Sequence, residues 1–157
     1  MPRYEFERVV DVSPEECFEF FSDLEKVQEH SSEVVELKKT NDKGFEPGMT
    51  FTCTRKMMGK EHTESLEVGA VDPGRSYTML CDSCGARWTT VYTFAPESGG
   101  TRVHMKMWSE SLTLLAKVMS PVMSVFFSGM VRKSINKELD ELKAACEGGG
   151  AGRAAPA

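Results

Sequence analysis

Residues 112–146 read LTLLAKVMSPVMSVFFSGMVRKSINKELDELKAAC, an apolar band that starts broad and narrows to a single stripe. From Leu112 to Val131 the only charge is Lys117. Leu114, Leu115, Val118, Met119, Val122, Met123, Phe126, Phe127 and Met130 point in nearly every helical direction. Beyond them Ile135, Leu139, Leu142 and Cys146 share one face, with Lys133, Lys137, Glu138, Asp140, Glu141 and Lys143 opposite, the pattern of a surface helix packed on a core. The first half has more apolar surface than one packing face requires. A ligand cavity, a partner or a membrane would each cover it.

Pro121 cannot donate to a helical ladder, so the spacing predicts a short helical turn over 112–119 and a main helix over 121–146, restarted with Ser120 as cap. At 1.5 Å per residue the main helix is roughly 39 Å long, enough to cross a sheet whose ten-residue strands span about 33 Å. Gly129 near its middle marks a close approach or a bend.

Upstream, Tyr4, Phe6, Val10 and Val12 alternate with Glu5, Glu7 and Asp11, which reads as a half-buried strand. Ser13-Pro14-Glu15-Glu16 is a hydroxyl cap, a proline at the first helical position and a glutamate at the third, so a helix starts there and carries Cys17, Phe18, Phe20, Phe21 and Leu24. Residues 25–32 form a second short helix or turn. From Val34 to Ser111 the period is two, and turn residues separate six strands at about 33–40, 49–57, 61–71, 75–82, 86–95 and 101–111. Connections this short exclude parallel crossovers, so the sheet is an antiparallel meander. Residues 1–147 form one domain, and residues 148–157, rich in Gly and Ala, form a disordered tail.

Composition removes several function classes. The 157 residues carry a net charge of −5 with no long run of either sign, which argues against nucleic-acid binding. Ten Met against nine Leu and one Ile describe an interior tolerant of irregular contents. The opening Pro2-Arg3-Tyr4-Glu5 lacks the basic and apolar regions of a secretory signal, so a cytoplasmic location is expected, with the five cysteines as free thiols. Cys81-Asp82-Ser83-Cys84 has the spacing of half a zinc site, but no second pair accompanies it, and it sits on a hairpin rather than at a helix N-terminus. No metal is expected, and no phosphate loop or dinucleotide fingerprint implies a cofactor. Lys117, Pro121 and the Ser/Thr residues of the Leu112–Val131 run argue against a transmembrane span. Transient membrane contact through an apolar cavity mouth stays open.

The order strand, two short helices, six antiparallel strands and a long last helix resembles the START-like helix-grip superfamily (SRPBCC). Its usual opening is similar to Tyr4-Glu5-Phe6-Glu7-Arg8-Val9-Val10-Asp11-Val12-Ser13-Pro14-Glu15-Glu16-Cys17-Phe18-Glu19-Phe20-Phe21-Ser22-Asp23-Leu24, and its terminal helix is similar to Ser134-Ile135-Asn136-Lys137-Glu138-Leu139-Asp140-Glu141-Leu142-Lys143. The branch it most resembles is the bacterial polyketide cyclase/dehydrase and lipid-transport proteins. The resemblance covers about residues 3–146. It implies an α+β fold in which a seven-stranded curved antiparallel sheet wraps the C-terminal helix around a cavity for an apolar ligand. Its motifs name no catalytic residue.

Apolar alternation assigns a concave face to Met49, Phe51, Cys53, Arg55 and Met57, to His62, Glu64, Leu66, Val68 and Ala70, and to Tyr77, Met79 and Cys81. The later strands add Trp88, Thr90, Tyr92 and Phe94, then Val103, Met105, Met107 and Ser109. Ligand contacts are expected from Phe51, Arg55, Met79, Trp88, Tyr92, Met105 and Met107 on the sheet, and from Met119, Met123, Phe126, Phe127 and Met130 on the helix. Arg8, Arg55, His62 and Glu64 are charged or polar residues in an apolar phase, which is costly without compensation. In a catalytic reading Arg55 stabilises an anion while His62, Glu64 or Tyr92 moves protons. In a structural reading Arg55 and Glu64 form a cross-strand ion pair. Three functions follow as expectations: a carrier that encloses a lipid, isoprenoid or polyketide-like molecule; a cyclase/dehydratase-type enzyme using the same pocket; and a protein-interaction module presenting its helix surface.

Overall fold

Ser13 Oγ accepts the Glu16 backbone N–H, and Pro14 occupies the first helical position, so the first strand gives way to a helix where the capping pattern places it. In the computed structural model, which describes residues 3–57, 59–83, 86–111, 129 and 132–150, the elements run β1 (Arg3–Val10), α1 (Pro14–Ser22), α2 (Leu24–His30), β2 (Val34–Lys39), β3 (Thr50–Met57), β4 (Lys60–Asp72), β5 (Ser76–Ser83), β6 (Ala86–Glu97) and β7 (Gly100–Ser111). Residues 132–145 form helix α3, which closes in a π-helical turn at Cys146–Gly150. The expected turn over 112–119, the first part of the main helix and the end of the tail lie outside the described residues.

The strands form one antiparallel sheet of order β1-β7-β6-β5-β4-β3-β2. β2 to β7 is the expected meander, and β1 adds to its far edge along β7. Turn chemistry fixes the hairpins. Glu97 pairs with Gly100 across Ser98 (φ 45°) and Gly99 (φ 85°), the two left-handed residues of a primed two-residue turn.

The register writes the concave face as rows of paired side chains. Phe6, Met105, Tyr92 and Tyr77 form one row, and Tyr4, Met107, Thr90, Met79 and Val68 the next. Ser109, Trp88, Cys81, Leu66 and Phe51 form a third. Ala70 departs from the expected phase. A bulge between Val68 and Val71 shifts the β4 register, so Ala70 is exposed and Val71 packs against the core instead.

One helix shows that the sheet curls. In strand order β1 and β3 stand five spacings apart, about 24 Å in a flat sheet. Yet α3, about 10–12 Å across, touches both. Arg8 of β1 donates to Asp140 Oδ1 (2.7 Å) and Asn136 Oδ1 (2.7 Å), while Arg55 of β3 donates to Glu138 Oε1 (2.9 Å). The sheet must bend around the helix for both contacts to form.

The main core lies inside that bend. Leu139, Leu142 and Cys146 of the terminal segment pack into a cluster with Cys17, Phe18, Phe20 and Phe21 of α1 and with Tyr77, Phe94, Val103 and Met105 of the sheet.

Candidate functional site

Arg55 is the inward-phase charge that the sequence singles out, and its partner comes from the other end of the chain. Directly across β4 it faces His62, while Glu64 faces Cys53. Instead of the cross-strand Glu64 of the structural reading, Arg55 takes Glu138 of α3 as its ion-pair partner. Glu138 is only 6% exposed, and Ser31 Oγ, also buried, donates to the same carboxylate oxygen at 3.1 Å. The sequence pattern puts Glu138 on the solvent face; the structure puts it inside. That placement is tolerated because a guanidinium and a hydroxyl satisfy the carboxylate.

The electrostatics follow from this pair. Burial, the largest single influence, pulls the Arg55 guanidinium down, but the facing Glu138 carboxylate, with Cys53 and Tyr92 adding to it, brings the net shift upward and keeps the group firmly charged. Burial, and then Glu138, pushes the Tyr92 phenol up against the opposing effect of Arg55, so Tyr92 stays a hydrogen-bond donor at neutral pH. Burial raises the Cys53 thiol despite Arg55. Cys81 donates to Glu64 Oε2 (3.4 Å), and burial, then Glu64, pushes its thiol up to about 12.

The other sequence candidates divide by environment. Phe51, Met105 and Met107 are on the concave face and buried; Met79, Trp88 and Tyr92 are on the same face and half-buried. His62 and Glu64 share the row positions of Arg55 and Cys53 but are exposed. Arg8 clamps α3 rather than lining an interior space. Met119, Met123, Phe126, Phe127 and Met130 lie outside the described residues, as do Cys84 and most of the Leu112–Val131 run. Among the described residues no group of three or more His, Cys, Asp or Glu side chains is placed to hold a metal. No helix among them is long and apolar enough to cross a membrane.

A separate groove of about 590 Å³ opens between the α1–α2 corner and β2, with Leu24, Leu37, Phe45 and Met49 in its floor and Asp23 and Lys38 at its rim. Phe45 also packs against the core, standing edge-on to Tyr77 with ring centroids 5.0 Å apart.

Sequence reasoning missed Glu138 and Ser31. Glu138 stands three residues after Ile135 and four before Leu142, spacings that put it on the apolar stripe. That spacing was the available signal; its charge pointed the other way.

No curated protein matches the chain by sequence. Solved structures match it by fold. TTHA0849, a Thermus thermophilus protein, has a TM-score of 0.73 at 19% identity, over 92% of this chain and 97% of its own. Ara h 8.0201 has a TM-score of 0.67 at 14% identity, covering 92% of this chain and 97% of its own. The di-domain ARO/CYC StfQ of the steffimycin biosynthetic pathway has a TM-score of 0.73 at 14% identity, matching 92% of this chain with 50% of its own. At these identities the likeness is one of fold. A family model for polyketide cyclase / dehydrase and lipid transport matches residues 1–147, and the curled sheet, the gripped helix and that match together make this chain a member of that family.

Proposed function

We propose that the protein encloses a hydrophobic small molecule, a lipid, isoprenoid or polyketide-like compound, between the concave face of the sheet and the C-terminal helix. One observation carries the reading. Leu66, Met79, Trp88 and Tyr92 occupy inward rows of the sheet, yet each keeps part of its surface accessible, while their row neighbours Tyr77, Met105, Met107 and Val68 are sealed. Large apolar side chains that face inward and remain accessible line space rather than fill it. A guest there gains roughly 25 cal/mol per Å² of apolar surface removed from water. Tyr92 and Arg55 supply polar groups that orient one end of it.

A second reading rests on a different observation. Arg55 and Tyr92 of the sheet and Glu138 of α3 bring a fixed cation, a protonated phenol and a carboxylate to one region between the concave face and the helix. That set suits stabilising an enolate and returning a proton, as a cyclase/dehydratase-type reaction needs. Glu138 neutralises Arg55 in this structure, so turnover requires the substrate to loosen that pair.

The chain has two tryptophans, and they report on opposite faces. Trp88 looks inward and Trp108 lies on the outer face beneath Lys106, whose Nζ is 5.9 Å from its ring centroid. Trp108→Phe leaves Trp88 as the sole donor. Titrating that variant with the fluorescent fatty acid cis-parinaric acid is expected to give saturable energy transfer from Trp88, abolished by excess palmitate. Absence of any saturable transfer, with aromatic polyketides also failing to shift Trp88 emission, would count against both readings.

A further inference from the structure

Two thiols that the ligand-binding reading does not use meet where the grip ends. Cys17 of α1 and Cys146 of the terminal π-helical turn are each 0% exposed and share the main apolar cluster, α1 packs against that turn, and the titration of each thiol is set first by the other. Both are free thiols. They join opposite ends of the domain, so a bond between them would close nearly the whole chain into one loop.

We propose that Cys17 and Cys146 are a dithiol modification site, converted by exchange with a low-molecular-weight disulfide such as oxidised glutathione into an intramolecular disulfide that fastens the end of α3 to α1. The Cys146 thiolate attacks one sulfur of the small disulfide, breaks its S–S bond, expels one thiolate and forms a mixed disulfide. Cys17 then loses its proton and attacks the Cys146 sulfur, expelling the second small thiolate. The protein gives up two electrons and two protons, and the small disulfide is reduced to two thiols.

The order of attack has a physical basis. The neighbouring Cys17 lowers the Cys146 thiol below its ordinary value, and Cys146, followed by burial, raises Cys17. Reagent reaches the pair when the terminal turn lifts. That turn is held by the Asp11 N–H donating to Glu147 Oε2 (2.8 Å) and by the Lys143–Glu147 ion pair (3.5 Å). Within it, a Cβ built on Gly148 would meet nothing within 4 Å. Opening one terminal turn leaves the sheet intact and requires only part of the global unfolding free energy. Cys53 and Cys81 do not offer the same chemistry, because β4 separates their strands and two strand spacings, roughly 10 Å, exceed disulfide reach.

The test treats the full-length chain with oxidised glutathione at pH 8 without denaturant, then maps unreduced peptides by mass spectrometry. The expected product links the Cys17 and Cys146 peptides, and its Tm exceeds that of the reduced protein by about 5–10 °C, reversibly with dithiothreitol. Cys146→Ala and, as a second variant in case the first misfolds, Cys17→Ala are each expected to lose both the link and the shift. A native protein that stays reduced, that carries glutathione on single cysteines only, or that forms the link only in denaturant would overturn the proposal. An unchanged Tm in the linked form would overturn the fastening role.

Discussion

Glu138 is the residue on which the polar interior turns. Its carboxylate receives Arg55 and Ser31, so Glu138→Ala leaves a guanidinium and a hydroxyl without their acceptor. The expected loss is about 2–4 kcal/mol in urea unfolding, toward the lower end because 29% of the Arg55 side chain remains exposed. Arg55→Met with Glu138→Met is expected to recover most of that loss, since removing both partners leaves no uncompensated charge. A double variant as unstable as the two single variants added together would show that the pair is not the coupled unit described. The pair was not legible because phase marks a residue as inward without naming what it meets, and here the partner is 83 residues away.

Cys81 gives a pH signature of its own. Folded, its thiol is pushed up to about 12 by burial and Glu64; unfolded, it returns to its ordinary value of 9.0. Between those values the folded chain binds more protons than the unfolded one. Stability is therefore fully present below pH 9 and falls as pH rises toward 12, by about 1.4 kcal/mol per pH unit for this thiol. Cys53 and Tyr92, also raised, add the same sign. Cys81→Ala is expected to flatten the alkaline slope; an unchanged slope would remove Cys81 as a contributor.

At the scale of elements, the strands were legible because each is bounded by turn residues and faces one core. The Ser13 cap, the proline at the start of α1 and the hairpin glycines all stand where local chemistry puts them. The β4 bulge was not legible, since Gly69 and Ala70 interrupt the alternation without indicating which neighbour resumes it. The junction of β1 with β7 supplies an element-scale prediction. A Cβ added at Gly100 would lie 2.5 Å from the Val10 carbonyl oxygen, and backbone cannot swing aside as a side chain can. Gly100→Ala is expected to cost about 2–3 kcal/mol by separating β1 from β7, with amide hydrogen exchange accelerated along Tyr4–Val10. Unchanged protection there would contradict the close approach.

For the whole molecule, contacts at both lateral parts of the sheet define the architecture. Arg8 and Arg55 reach one helix from strands that a flat sheet would hold far apart. The aromatic cluster of Phe18, Phe21, Tyr77 and Phe94 fastens α1 to the sheet inside the curl. Toward Met79 and Trp88 the inward face stays accessible. Element order made the family and the curl legible, whereas the guest's identity is not written in residues whose common property is being apolar. Native mass spectrometry of the protein purified from its own host tests the enclosed-guest claim most directly. The predicted result is a non-covalent adduct of a few hundred daltons that is lost on collisional activation and displaced by an added fatty acid; a bare polypeptide mass in repeated preparations, with no adduct formed on adding apolar compounds, would contradict it.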